Sequence, residues 1–166
     1  VQGITHSSQP VMGYNYGAKE YGRVKKAIVF VSVVSVLYTL GMWSIVHTFP
    51  DFFIRSINRT GDLVEAGIPA MRIYFFGFFM MAFQFAGQAI FVGLGKAKNA
   101  VFFSIFRKVI IVIPLIIILP SMFHMGTDGI LMAEPVSNFI GGTACFVTML
   151  CTVWPELTKG ERDKNK

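Results

Sequence analysis

Four long apolar segments constrain this chain more than any other feature. They run over residues 24–49, about 63–94, 101–123 and 129–153, and Pro, Asp, Gly and Lys punctuate their ends. Each reaches the roughly 20 residues that a helix needs to cross a hydrocarbon core about 30 Å thick. Buried helices of soluble domains are usually shorter. Only 14% of the 166 residues are charged and 54% are hydrophobic, whereas a soluble domain carries about 25% charged residues. The fold class expected is therefore an all-α integral membrane protein with four full transmembrane helices. The chain begins at Val1 with a polar run that has no apolar segment before it. That run, residues 1–18, is read as the end of a further membrane helix whose beginning is missing.

The distribution of charge sets an orientation and excludes a function class. Net charge is +6, which on a soluble chain would suggest nucleic acid. Here the basic residues flank apolar segments, as they do beside a bilayer. Lys19, Arg23, Lys25 and Lys26 precede the first segment, and Lys96, Lys98, Arg107 and Lys108 lie between the second and third or early in the third. Lys159, Arg162, Lys164 and Lys166 follow the fourth, twelve residues in all on one side. The opposite side has only Arg55, Arg59 and Arg72. The positive-inside rule then places the opening junction and the C-terminal tail, 154–166, in the cytoplasm. Nucleic acid is not an expected partner; the bilayer is.

Nothing in the sequence has the form of an enzyme's site. It contains no phosphate-cradling Gly loop, no nucleophile elbow and no His/Cys set at metal-ligand spacing, and no cofactor is implied. His6, His47 and His124 lie far apart, near segment ends. Cys145 and Cys151, six apart in one apolar run, point in different directions on a helix and read as small core residues. Asn58-Arg59-Thr60 matches a glycosylation sequon, a pattern too frequent by chance to carry weight.

Polar residues within the apolar segments carry the functional signal, because unpaired polar groups are costly in a bilayer. Glu134 is the one carboxylate well inside a segment, and Pro135 follows it. A proline frees a backbone carbonyl one turn back and bends the helix. A bend beside a carboxylate suits a cation or proton site. The alternatives are a place near the outer interface, since Glu134 lies only about 8 Å along its helix, or pairing with a neighbouring helix. Gln84 and Gln88 share one face of the second segment, and Ser137 and Asn138 form a polar spot on the fourth. These groups join helices or line a cavity. Pro114 and Pro120 make the third segment bendable. Gly141-Gly142 allow close helix approach.

The opening stretch, "SSQPVMGYNYGAKEYGRVKKA", resembles the C-terminal lobe of the multidrug and toxic compound extrusion (MATE) transporters. In that family a helix ends in Q-P-x-x-G-Y-N-Y-G-A-K before an R-V-K-K entry to the next. The matching residues are Gln9, Pro10, Gly13, Tyr14, Asn15, Tyr16, Gly17, Ala18 and Lys19, then Arg23, Val24, Lys25 and Lys26. "GLGKAKNAVFFSIFRKVIIVIPLIIILP", which contains Arg107 and Pro114, resembles the family's G-K-A-K link and following helix. "GILMAEPVSNFIGG" resembles the start of its last helix. Val92-Gly93 and Lys108 depart from the residues common there, and the second segment has no carboxylate of the kind that some members use for ion coupling.

The resemblance implies helices eight (its end) to twelve of a twelve-helix transporter built from two six-helix lobes. It implies multi-pass residence in the plasma or inner membrane, with the missing N-terminal lobe as partner. The activity implied is alternating-access export of amphipathic, cationic compounds in exchange for H+ or Na+. Glu134, Gln84, Gln88 and Asn138 are then the cavity or coupling candidates. Gln9, Pro10, Gly13, Tyr14, Asn15, Gly17, Arg107, Pro114 and Pro135 are the gating or packing candidates. Gly13 and Gly17 are spaced for close helix contact. Two other functions compete: a lipid-linked oligosaccharide flippase of related architecture, and a non-transporting membrane assembly protein. A flippase would need several basic residues facing its cavity. Here Lys and Arg are expected at helix ends, which favours the exporter.

Overall fold

The computed structural model describes residues 1–57, 61–122 and 126–164. The sequon at 58–60 and His124 lie outside them. Every described element is helical, and among the described residues there are no strands. The order is α1 (Gln2–Gly17), α2 (Tyr21–Thr48), α3 (Pro50–Ile57) and α4 (Gly61–Phe75), then a 3₁₀ turn (Phe78–Met80) leading into α5 (Met81–Gly93). After these come α6 (Ala97–Ile105), a π-helical stretch (Phe106–Val112), α7 (Ile113–Met122) and α8 (Gly126–Lys164). Among the described residues four stretches are long and apolar enough to cross a membrane: Tyr21–Thr48, Gly67–Gly93, Ala97–Ser121 and Thr127–Lys164.

The core lies toward one end of the bundle. Met12 of α1, Val24 and Ile28 of α2, Ile90 and Phe91 of α5, Phe103 of α6 and Cys145, Met149, Val153 and Leu157 of α8 pack into one buried cluster. The most extensive contact is between α5 and α8. Small residues let these helices approach. A Cβ on Gly142 would stand 2.7 Å from the Met80 carbonyl oxygen, and one on Gly87 3.0 Å from Cys145 Sγ. Large apolar side chains cover the outer faces instead, among them Phe30, Leu37, Val101, Phe102, Ile110 and Ile117. An exposed apolar exterior around a packed interior is the arrangement that a lipid solvent favours.

Two junctions end their helices in the same way. Gly95 adopts φ 75°, and its neighbours close 6→1 and 5→2 bonds, Lys96 N to Phe91 O (2.7 Å) and Gly95 N to Val92 O (3.0 Å). Lys19, at φ 58°, forms the matching pair, Glu20 N to Asn15 O (2.9 Å) and Lys19 N to Tyr16 O (3.0 Å). Both are left-handed helix caps, one made by the usual glycine and one by a lysine. The polar opening of the chain is therefore a helix followed by a tight reversal into α2.

Several expectations are corrected. The second segment, expected as one helix, breaks at residues 76–77 and continues through the 3₁₀ turn. There Gly77 lies against another helix so closely that a Cβ on it would stand 2.9 Å from Pro135 Cα. The fourth helix does not stop at residue 153 but continues through Pro155 to Lys164. Its extension is held by buried Leu157 and by ion pairs of Glu156 with Lys96, Glu161 with Lys25 (2.7 Å) and Lys164 with Glu20 (2.5 Å). Cys151 is exposed, whereas Cys145 is buried as expected. Finally, Gly17 makes no close approach among the described residues, none of which lies within 4 Å of a Cβ built there.

Candidate functional site: a buried arginine, glutamate and asparagine cluster

Arg107 is the residue whose place the sequence does not reveal. The charge pattern assigns it to a helix end with the other flanking cations, yet it is only 5% exposed and lies within the third span. It belongs to the π-helical stretch, a wide turn that is rare and frequently marks functional sites. Pro114 follows two residues after that stretch and has no N–H to bond back into it. The one available signal is register. Arg107 is about 15 Å from the start of α6 at Ala97, too deep for an interfacial residue.

The partners of Arg107 come from α8 and are spaced about one turn apart. Its Nη1 lies 3.2 Å from Glu134 Oε1 and also donates to Asn138 Oδ1. Its aliphatic stem lies across Gly141, where a Cβ would stand 2.8 Å from Arg107 Cγ. Glu134, Asn138 and Gly141 thus form one face on which the guanidinium chain lies flat. Lys108 reaches the other carboxylate oxygen, Nζ to Oε2, at 3.7 Å. Arg107 Nε is buried with no hydrogen-bond partner among the described residues. The carboxylate is therefore shared by two cations, one buried and one half exposed. Removing one member of such a buried pair usually costs about 3–5 kcal/mol, since the remaining charge cannot be resolvated.

The cluster adjoins the break in the second span. Pro135, next to Glu134, is fully buried and packs against Gly77. Phe139, on the next turn of α8, meets Phe76 at 6.2 Å and Phe79 edge-on at 5.8 Å between ring centroids. The irregular part of one membrane span thus rests on the helix that carries the carboxylate. The Ser137 hydroxyl donates to the Glu134 carbonyl (2.8 Å) and so remains within its own helix.

The other candidates lie elsewhere. Gln88 lines a cavity of ≈ 260 Å³ between α1, α5 and α6 together with Gln9, His6 and Thr5. Its Nε2 is buried without a partner among the described residues. Gln84 is buried, and its Oε1 is likewise unpartnered. Gly13 packs on the end of α5, where a Cβ would meet the Gly93 carbonyl at 3.0 Å. Pro10 lies exposed inside α1, Tyr14 is 78% exposed, and Asn15 donates to the Val11 carbonyl of its own helix (2.8 Å). Tyr16, a motif residue beside them, donates its hydroxyl to Glu156 at 2.6 Å and so ties the end of α1 to α8. Among the described residues no group of His, Cys, Asp and Glu is arranged to hold a metal ion.

Comparison with known proteins gives these features a context. The MatE family model matches residues 1–118. Among solved structures, the chain is similar to a MATE multidrug transporter, DinF-BH, determined in complex with a ligand. That similarity has 30% identity and a TM-score of 0.83 over 90% of this chain and 33% of the other. It also superposes on a multidrug resistance MATE family transporter of the MOP superfamily in an inward-facing conformation (15% identity, TM-score 0.81, 95% of this chain and 36% of the other). An outward-facing structure with the same description matches at 17% identity and a TM-score of 0.79, over 93% of this chain and 33% of the other. The chain thus spans about a third of the length of the transporters it matches. No curated protein matches it. With the family model covering most of the sequence, this multi-pass membrane chain belongs to the MatE family.

Proposed function

We propose that this chain forms part of a secondary active exporter of amphipathic, cationic small molecules, working by alternating access in exchange for an inward ion flow. The observation that carries the reading is the Arg107–Glu134–Asn138 cluster, a buried charged group in a MATE lobe. Charge is rare inside membrane spans and usually marks an ion or substrate pathway. Its contact with the Gly77 break supports a mechanical role, since Pro135 links the carboxylate's helix to the interrupted span. A change in how Glu134 is held would act directly on that contact.

The same geometry supports H+ over Na+ as the ion sensed here. Both oxygens of Glu134 already face cations, Arg107 and Lys108. A sodium ion needs oxygen ligands, and here both carboxylate oxygens face fixed cations while Asn138 Oδ1 already accepts from Arg107. Gln88 and Gln9, in their polar cavity, are the candidates for contact with substrate or water. The rest of the transporter supplies the opposing wall. By the distribution of basic residues, the α1–α2 junction and the end of α8 face the cytoplasm, and the plasma or inner membrane is the site of action.

The flippase alternative needs basic residues free to hold a pyrophosphate. Arg107 is buried, but both it and Lys108 are engaged by Glu134, which favours the exporter. The test is efflux of a cationic dye by the full-length protein in energised vesicles, with proton and sodium gradients collapsed separately. Efflux that stops with the proton gradient and persists without sodium is the expected result. Efflux that depends on sodium alone removes the proton assignment, and the absence of gradient-dependent efflux overturns the exporter.

A further inference from the structure

An apolar groove runs between α2 and α8 on the outer face of the bundle, away from the charged cluster. It consists of two adjoining volumes, ≈ 670 Å³ and ≈ 450 Å³, that share Val29, Val33 and Trp154. The walls are hydrocarbon and aromatic along most of its length, and cations stand at one end. Lys25 and Lys26 line the mouth beside Trp154. Lys25 is already committed, bonded to Glu161 at 2.7 Å and standing 5.7 Å over the Trp154 ring. Lys26 is exposed and has no ion pair among the described residues. It also borders a polar hollow containing Lys19, Arg23 and Lys164. The acids there are already engaged, since Glu20 pairs with Lys164 and Glu161 with Lys25. The mouth of the groove therefore carries uncompensated positive charge.

One further group fits this pattern. Ser32 lines the groove, and its Oγ is buried with no hydrogen-bond partner among the described residues. It lies about 9 Å along α2 from Lys26, at the depth where the glycerol esters follow a phosphate. Phe146, Leu150 and the exposed Cys151 line the facing α8 wall. From its mouth inward the groove runs from cations to hydrocarbon, with one hydroxyl in its wall. That order complements a phospholipid with an anionic head group: phosphate on Lys26, ester region at Ser32, acyl chain between α2 and α8.

The geometry points to a binding site for one anionic phospholipid in the α2–α8 groove, with Lys26 as its head-group contact. The site does not depend on what the protein transports. Free phosphate could meet Lys26 but would leave the apolar groove beneath it empty, so the membrane is the source that fits the whole surface. A juxtamembrane Lys is worth about a five-fold preference for an anionic surface. Its placement over a groove that holds the chains turns this preference into a site.

The test uses the delipidated full-length protein in detergent, followed by thermal unfolding. Phosphatidylglycerol, phosphatidylcholine and inorganic phosphate are titrated separately. Phosphatidylglycerol is expected to raise the melting temperature at lower concentration than phosphatidylcholine, and phosphate alone to leave it unchanged. Lys26→Gln should weaken the phosphatidylglycerol response about five-fold and leave the phosphatidylcholine response as it was. Val33→Trp, which adds bulk at an exposed groove position, should abolish the difference between the two lipids. Neither side chain is buried in the core, so both variants should fold, as the melting temperature without lipid verifies. Equal responses to the two lipids, an unchanged Lys26→Gln response, or a shift reproduced by phosphate alone would overturn the site. So would a phosphatidylglycerol preference that survives Val33→Trp.

Discussion

The α2 helix and the span formed by α6, the π-helical stretch and α7 are both long and apolar, yet each satisfies one buried polar side chain in the opposite way. Within α2, Thr39 is fully buried, but its hydroxyl donates to the Ser35 carbonyl (2.9 Å) and the Val36 carbonyl (3.0 Å) of the same helix. The helix runs unbroken for 28 residues. The other span is the most apolar of the four, yet it buries an arginine and is interrupted around it. Arg107 cannot be satisfied locally and takes its partners from α8. Apolarity decides whether a segment crosses the membrane. The helix is regular around Thr39, which bonds within its own turn, and irregular around Arg107, which bonds to another helix.

This contrast can be tested by removing one polar partner of each kind. Glu134→Ala leaves Arg107 and Lys108 facing each other without a counter-charge and should destabilise the protein by about 3–5 kcal/mol. Thr39→Val keeps the shape of the side chain, removes only a hydrogen bond within its helix and should cost about 1 kcal/mol. Thermal unfolding of the full-length protein in one detergent measures both. Equal losses would break the distinction. The double replacement Arg107→Met with Glu134→Leu should recover most of the stability, because apolar side chains can replace a buried pair, and should lose transport.

Glycines sharpen the comparison at the next level. Gly142, in the contact between α8 and α5, leaves no room for a methyl group, and Gly142→Ala should cost about 1–3 kcal/mol. Gly41 of α2 has nothing among the described residues within 4 Å of a built Cβ. Gly41→Ala should stabilise α2 by up to about 1 kcal/mol through helix propensity. Opposite signs in one melting assay are the expected outcome.

A smaller effect is expected at Gln84, whose Oε1 finds no partner among the described residues. Gln84→Leu should be neutral or stabilising by about 1 kcal/mol, as exchanging an unsatisfied polar group for an apolar one generally is. A clear loss would show that the amide is engaged in the full-length protein.

The smallest effect is expected where Lys164, at the end of α8, holds Glu20, at the start of α2. The hydrogen bond and charge of Lys164 lower the Glu20 carboxyl below its ordinary value of 4.5. A depressed folded value means that the contact contributes fully above about pH 4.5 and is lost as the pH falls through the folded value. The pair is exposed, so raised salt should remove most of this pH dependence. Hydrogen exchange at residues 161–164, followed at low and high salt while the pH is lowered, reads the effect directly.

The spans are legible in the sequence because length and apolarity are local properties. Glu134 is legible too, since a lone carboxylate beside a proline stands out in an apolar run. That Glu134 meets Arg107 is not, because the same charge that marks cytoplasmic flanks also marks buried pairs. Only depth along the helix separates them. The break at Gly77 is hidden for a different reason. Glycine is ordinary in membrane helices, and what uses the absence of a side chain there is Pro135, far away in sequence. The length of α8 is easily misread because Pro155 and a charged run look like a stop. The ion pairs that keep the run helical come from Lys96, Lys25 and Glu20 on other elements.

The length of α8 has a mechanical consequence. A helix of 39 residues is about 58 Å long, nearly twice the hydrocarbon thickness. One end carries the carboxylate, and the far end is anchored to the short reversals that start α2 and α6. Taken as a stiff rod pivoting at Glu134, α8 would carry Lys164 through about 8 Å for a tilt of about 10°, because some 45 Å separates them. A distance probe at the C-terminal end of α8 would therefore magnify whatever small movement accompanies a change at the buried charge.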